Sequence, residues 1–423
     1  MKIINIIIRL SVFSVLAGMT SGAIAGGFGI ATQSGSATGN AYAGGAAVAD
    51  DASVAWSNPA AMTLLPSGRQ FAIAGHFLKP SFKFSNGGST GAFASPGSGE
   101  GGDGGDWALV PNGFFTMQIN PNLRFGVALN VPFGLKTEYD AGWRGQLTAL
   151  KSEIKTVNIN PSLAYKVNDK VSIGGGISVQ QIKAELAAFT GSAAGGNLTL
   201  SADDTAYGFN LGLLVQATPD TRFGLTYRSS IDYTLVGDAK FSGTSGALLG
   251  SRVRADLTVP ESVSASIFTA LTPKWDLMGD ITWTGWSQVQ QLDVIRATAR
   301  LAPGGAAGST LTSLPFKWND TFRLAVGANY QWSNQSKLRF GLAYDKTPSK
   351  DTTRTPRLPD QDRVWLAAGV QYRVSKSGVL DFGYAHEFIR DATVNVVVPG
   401  AGTLSGKFAN QADIISIQYS HSF

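Results

Sequence analysis

The sequence predicts an all-β fold: a 14-stranded antiparallel transmembrane β-barrel with a small N-terminal helical hatch plugging the lumen. Three observations carry that reading. Apolar and polar residues alternate with period two along most of the chain. The connections between alternating runs are tight and long by turns. A small-residue segment at the front fits neither pattern.

Lys2 and Arg9 flank an isoleucine run, Leu10 to Gly18 is apolar, and Ala23-Ile24-Ala25 has the small-x-small form of a cleavage site. Residues 1–25 therefore read as a cleaved secretory signal peptide. The apolar run is shorter than the ~20 residues that a spanning helix needs. Its removal takes Lys2 and Arg9 from a net charge of only +5, which gives nucleic-acid binding no support. No later run is long and apolar enough to span as a helix, so any membrane crossing is made by strands.

Residues 26–67 hold seven Gly and eleven Ala among few large side chains. Asn58-Pro59 reads as a helix start, with Asn as N-cap and Pro at the first helical position. Ala60 to Leu65 then forms a short helix that Pro66-Ser67-Gly68 stops. A segment this small cannot bury a core of its own. A fourteen-stranded barrel has a lumen to fill, and the segment is read as the plug.

Residues 68–423 are read as strands. Ile415, Ile417, Tyr419 and Phe423 share one face, and Ser416, Gln418, Ser420 and Ser422 the other. Val364, Leu366, Val370 and Tyr372 alternate with Arg363, Gln371 and Arg373 in the same way. Six tight turns contain Pro, Asn, Asp, Ser or Gly, which form turns for backbone reasons. Seven longer connections lie near 85–107, 133–153, 190–202, 241–250, 297–314, 346–358 and 397–408. Six turns and seven loops join fourteen strands, and short turns on one side with long loops on the other are the outer-membrane pattern. Charged residues are only 15% of the chain, against about 25% in an average soluble protein. Trp283, Trp286, Tyr330 and Trp332 suit the interfacial girdles. A bulge is expected at Pro161, since proline donates nothing to a ladder.

Several stretches resemble a known family. Gly27-Phe28 followed by "GNAYAGGAAVADDASVAWSNPAAM" resembles the N-terminal hatch of the outer-membrane long-chain fatty acid transporter family, with Asn58-Pro59-Ala60 its most specific step. "NVPFGLKTEYDAGWRG" resembles that family's third strand and following loop, "NINPSLAYKV" its next strand, and "LPDQDRVW" the start of its twelfth. The resemblance implies passive uptake of hydrophobic molecules: capture at outer loops, a lumenal pocket reached by the N-terminus, hatch movement, and lateral exit at a kink in the third strand. Long-chain fatty acids are the substrate it favours. Aromatic hydrocarbons by the same route, or a general aqueous porin, are the alternatives.

The residues give their own support for the kink. Pro132 falls within or at the end of a strand over Leu123–Phe133. Proline in a sheet belongs at edges and bulges, and a closed barrel has no edge. Asn130, Pro132, Phe133 and Gly134 are therefore the candidate gate, with Asn130 placed to cap freed backbone groups. Phe28 and Arg144 are candidate ligand contacts, the first for an apolar body and the second for a carboxylate or for lipopolysaccharide phosphate. Leu248 and Leu249 stand out on a Gly/Ser/Thr loop as an apolar landing surface. Asp50 and Asp51 are assigned to turn capping or to pairing with lumenal arginine, and Asp360, Asp362 and Arg363 to a lumenal charge network. The terminal Phe423 resembles the signal read by barrel-assembly machinery. Expected partners are thus outer-membrane lipid and lipopolysaccharide, the hydrophobic ligand and that machinery, with the barrel a monomer. No Cys and only three His, none beside a nucleophile motif, leave enzymatic chemistry without support. No cofactor or metal is expected.

Overall fold

The computed structural model describes residues 26–95, 97–190, 196–243 and 246–423, so the signal-peptide reading lies outside the described residues. Fourteen antiparallel passes close into a barrel. The first two are β1 (Arg69–Asn86) and β2 (Ala108–Asn120), and the third is broken into β3 (Leu123–Asn130) and β4 (Gly134–Glu138). Passes four to six are β5 (Lys151–Lys166), β6 (Val171–Phe189) and β7 (Asn197–Gln216). The next four are each in two pieces: β8 (Thr221–Arg228) with β9 (Ile231–Phe241), β10 (Ser251–Val259) with β11 (Ser262–Ala270), β12 (Trp275–Thr284) with β13 (Gln291–Arg296), and β14 (Thr310–Pro315) with β15 (Thr321–Gln331). The last four are β16 (Ser336–Asp345), β17 (Arg363–Arg373), β18 (Gly378–Ile389) with β19 (Ala392–Val398), and β20 (Gly402–Ser422). β20 closes the wall against β1, in register from Gln70↔Ser422 to Asn86↔Gly406.

A membrane-spanning strand needs ~9–11 residues. β6, β7 and β20 have 19, 20 and 21, so the wall stands well clear of the bilayer on the long-loop side. The polarity changes with height accordingly. In the lower wall, Val364, Leu366, Phe382 and Ile417 face out and Asn160, Asn210 and Gln418 face in. In β9 and β10 the order reverses. Asp232, Thr234, Arg252, Arg254 and Asp256 are outside, and Tyr233, Leu235, Val253, Ala255 and Leu257 are inside and buried.

Four expectations change. The loop placed at 397–408 is a hairpin: Val396 to Val398 favour strand, Ala401 N–H bonds Val398 O (3.0 Å), and Gly400 takes the φ of +78° that the turn requires. The loop placed at 133–153 is shorter, because the third pass resumes as β4 after its break. Pro161 makes no bulge. Its nitrogen faces β6, and that ladder lapses between Ile159↔Val179 and Ser162↔Gly176 without a change of register. Trp286 leaves the girdle. A 3₁₀ turn over Trp286–Gln288 interrupts the ninth pass and carries the indole into the interior.

Candidate functional site

Residues 26–68 run inside the barrel. The Asn58-Pro59 step is a 3₁₀ helix over Pro59–Leu64 rather than an α-helix, with Asn58 Oδ1 accepting Ala60 N–H (3.0 Å) as N-cap. Asn58 Nδ2 also donates to Ala46 O (2.6 Å) and to the wall carbonyl of Leu213 (3.1 Å), so one side chain caps the helix, folds the hatch and docks it. The wall receives the hatch at backbone distance. A Cβ on Gly224 would stand 1.9 Å from Ala46 O, and one on Gly341 would stand 2.1 Å from Asn40 C.

Lumenal arginines hold the hatch in place. Arg222 donates to Ala47 O (2.5 Å), Arg323 to Ala41 O (2.5 Å), Arg228 to Trp56 O (2.9 Å) and Arg124 to Pro66 O (2.7 Å). Arg339 bonds Asp50 (2.9 Å) and Asp381 (3.1 Å). Burial works to raise the Asp50 carboxyl, but Lys337 and Arg339 outweigh it and hold it far below the usual carboxylate range. Asp51 accepts from Ser53 N–H (2.8 Å), Ser36 Oγ (2.6 Å) and Gln418 Nε2 (2.9 Å).

Above the hatch the lumen is apolar. Phe28 lies against Trp286 (ring centroids 5.0 Å), Trp318 (5.7 Å) and Phe133 (5.8 Å), and buried side chains of β9, β10 and β13 continue the same cluster. Beside it a cavity of about 310 Å³ runs between hatch and wall. Ile30, Val48, Phe133 and Trp286 line it, and Ser264, Thr282, Arg228 and Arg323 make its polar part. Arg228 Nη1 and Arg323 Nε, both buried atoms, have no hydrogen-bond partner among the described residues.

Phe133 belongs to the break in the third pass. Asn130 pairs with Asn158 and Gly134 with Lys155, so three residues, 131–133, stand opposite two, 156 and 157. Thr156 Oγ1 covers the defect by accepting from Phe133 N–H (3.0 Å) and donating to Phe133 O (2.6 Å). On the other edge, β2 stops pairing with β3 at Gly113↔Leu129, and β4 forms a ladder with β5 alone, rejoining the stretch before β2 only where Glu138 N–H bonds Gly104 O (3.0 Å). The wall thus has a gap between the second and third passes. Its inner side is covered by the start of the hatch: Gly134 N–H bonds Phe28 O (2.9 Å), Ile30 N–H bonds Pro132 O (2.8 Å), and Gln33 Nε2 donates to Val131 O (2.8 Å). From the second pass, Asn112 Nδ2 donates to Thr32 O (2.8 Å).

A plug pinned to a polar lower lumen, an apolar chamber above it and a wall gap stopped by the plug's own first residues are the parts of a transport channel. The family model described as outer membrane protein transport protein (OMPP1/FadL/TodX) matches residues 16–423. The chain belongs to this family. It is 26% identical to the long-chain fatty acid transport protein of Escherichia coli K12, over 88% of this chain and 90% of that one. It is 28% identical to outer membrane protein P1 of Haemophilus influenzae Rd, over 86% of each. The crystal structure of a Pseudomonas aeruginosa FadL homologue superposes with a TM-score of 0.86 at 26% identity, covering 94% of this chain and all of that one. The Ralstonia pickettii toluene transporter TbuX shares the fold, with a TM-score of 0.67 at 20% identity over 93% and 99%. The protein is an outer-membrane transporter of hydrophobic compounds.

The residues singled out in the sequence fall into groups. Phe28, Asn130, Pro132, Phe133 and Gly134 come together at the gap, and Asn130 acts through Gln33, donating to its Oε1 (2.6 Å). Asp360 and Arg363 form a buried pair that Glu387 extends (2.9 Å), and Asp360 also accepts Gly27 N–H (3.0 Å). Asp362 is not in that network. It lies just before β17, accepts Thr347 N–H (3.0 Å) and Tyr344 Oη (2.9 Å) with Arg390 at 3.7 Å, and is linked to Asp360 only through Thr347, whose hydroxyl donates to that carboxylate. Arg144 is not free for a ligand carboxylate, because it is tied to Glu100 (3.2 Å) and Phe93 O (2.9 Å) within the outer loops. Leu248 and Leu249 lie in a one-turn helix, Leu248 with 49% of its surface exposed. Phe423 joins Phe71 and His421 in an aromatic group over the β1–β20 seam. Sequence reasoning missed Gln33, Trp286, Trp318 and the arginines that hold the hatch. The arginines were signalled by their inward places in alternating strands. The tryptophans were not, because breaks in the ninth and tenth passes reverse the face.

Proposed function

We propose that the protein takes up long-chain fatty acids, seats the acyl chain in the apolar chamber at Phe28, and releases it sideways through the gap at Pro132. The observation that carries this reading is the position of Phe28–Gln33. One segment forms a wall of the chamber and also stops the gap, so a ligand that displaces Phe28 unpairs Gly134 and Pro132. Lateral release is favoured by energy as well as by geometry. An acyl chain gains roughly 0.8 kcal/mol for each buried CH₂, and passage into lipid keeps what passage through a wet lumen loses. Backbone groups freed at membrane depth cost several kcal/mol each unless protein or water satisfies them, which returns the stopper to its seat after release.

Fatty acid is favoured over plain hydrocarbon by the guanidinium groups of Arg228 and Arg323 in the cavity lining. A carboxylate answers them and an alkylbenzene does not. The test is a parallel titration of the purified, refolded barrel with oleate and with toluene, in the native chain, Phe28→Ala and the double variant Arg228→Gln/Arg323→Gln. Saturable oleate binding that both variants weaken, with toluene binding insensitive to the arginine changes, is expected. Toluene binding without oleate binding overturns the substrate. Free ion conduction with neither bound makes the protein a porin.

A further inference from the structure

We infer that Pro111 and Gln33 together form the release element of the gap: Pro111 withholds the backbone donor that would zip the second and third passes together, and Gln33 of the hatch supplies that donor in a form that can be withdrawn. The inference rests on the lateral-exit reading above.

The argument is one of strand parity. Gln118 N–H bonds Gly68 O (3.0 Å) and the β1 ladder keeps one register down to Leu78↔Ala108, so even-numbered residues of β2 turn their backbone groups to β1. Odd-numbered ones face the third pass. On the third pass, Asn122 O accepts Lys166 N–H (2.8 Å), so its even-numbered residues face β5 and its odd-numbered ones face β2. The β2–β3 ladder sets Gly113 opposite Leu129. Continued by two residues, the same register sets Pro111 opposite Val131, with the proline nitrogen aimed at the Val131 carbonyl. That nitrogen carries no hydrogen. Pro111 sits within β2, at Gly75↔Pro111 in the β1 ladder, and interrupts nothing there because its nitrogen points the other way. A proline at this parity removes one bond, at the place where the wall stops being closed.

Val131 O is satisfied all the same, by Gln33 Nε2 at 2.8 Å. The same Nε2 donates to Ile30 O (2.9 Å), and Gln33 Oε1 accepts from Asn130 Nδ2 (2.6 Å). The amide therefore ties the hatch to the lip of the gap with both of its ends. A strand N–H in Gln33's place would be fixed in the wall. A side chain on the hatch leaves with the hatch.

The chain has no cysteine, which gives a clean test. Asp106→Cys and Lys136→Cys would lie opposite each other in the continued register, both on the outside of the wall at the upper end of the gap. This pair is introduced into the full-length protein with Pro111 or with Pro111→Ala, and disulfide yield and oleate uptake by cells are measured. Pro111→Val, which also restores the N–H, guards against an effect of one side chain. In variants without the cysteines, Gln33→Leu is combined with native Pro111 or with Pro111→Ala. Restoring the N–H is expected to raise disulfide yield and lower uptake by about fivefold, the factor that one net backbone hydrogen bond carries. Gln33→Leu is expected to change uptake with Pro111 and to do nothing in the Pro111→Ala background. If neither substitution of Pro111 changes yield or uptake, or if Gln33→Leu acts equally in both backgrounds, the role of Pro111 and Gln33 is refuted. The oxidised pair in the Pro111 background tests the reading beneath it. Uptake that stops on oxidation keeps the lateral exit, and uptake that continues removes it.

Discussion

The lower and upper halves of the lumen solve opposite problems with one wall. The lower half lies within the bilayer, shows apolar side chains to lipid, and keeps Asn, Gln, Ser and Arg inside. Those groups need partners, and the hatch supplies them as carbonyls, carboxylates and a helix cap. The upper half stands above the bilayer, shows Asp, Thr and Arg to water, and keeps Tyr, Leu and Val inside. Its inner surface asks for an apolar occupant. The difference teaches that the hatch is held by polar satisfaction and that, on the proposed function, the ligand is held by apolar burial. The two meet only along Phe28–Gln33, where one segment serves both.

The most drastic way to break the comparison is to empty the lower half. Deletion of residues 26–66 should convert a closed barrel into an open pore, read as a large rise in single-channel conductance in planar bilayers. A barrel equally closed without the hatch would put the barrier in the upper half instead. A single cut comes next. Arg339→Ala leaves Asp50 and Asp381 facing each other without their shared cation. Breaking a buried pair in this way costs about 3–5 kcal/mol, and the expected readout is a lower urea midpoint together with noisy, hatch-dependent conductance.

The upper half should respond in affinity rather than stability. Trp286→Ala removes the ring that stands nearest Phe28 and, on the proposed function, should weaken oleate binding about tenfold or more by lost burial, while conductance stays low. A conductance rise in that variant would show that the halves are coupled more tightly than their chemistry suggests. The smallest effect belongs to the outer loops. Burial would raise the Asp103 carboxyl, but bonds from Phe82 N–H, Ser81 and Gly105 N–H lower it. A lowered folded value gives stability that is full above the unfolded value near ~3.9 and is lost as pH falls through the folded one. Hydrogen exchange over residues 81–106 should therefore stay slow at neutral pH and quicken only under strong acid, and Asp103→Asn should abolish that dependence.

The barrel was legible because its alternation and its turn chemistry are local. Hairpins announce themselves within a few residues, and the connections misjudged were 397–408, which is itself a hairpin, and 133–153, where the third pass resumes after its break. The hatch was legible as a misfit: small, unpatterned and capped at Asn58. Within the site, Pro132 and Phe28 could be singled out because one breaks a strand rule and the other is a lone aromatic near the predicted cleavage point. Gln33 could not, since a glutamine in a small-residue segment carries no signal until its register partner is known. Pro111 violates the same rule as Pro132, yet its meaning depends on which way its nitrogen points, and parity is set by the neighbouring strand. Asp362 was assigned to the lumenal network for a related reason. Charge predicts that a partner exists, but not on which side of the wall it stands.

The seams of the wall are unequal. β1 and β20 are matched at seventeen positions, while β2 and β3 are matched at seven, the shortest join between neighbouring passes among the described residues. Under tension such a wall fails at a chosen place. The join where the two ends of the sheet meet is among the longest, and the join between the second and third passes is the shortest among the described residues. A deforming load from the surrounding lipid, whether from thickness or curvature, would therefore be concentrated on this join, and on the lateral-exit reading proposed above the membrane that receives the cargo also sets how readily the door yields.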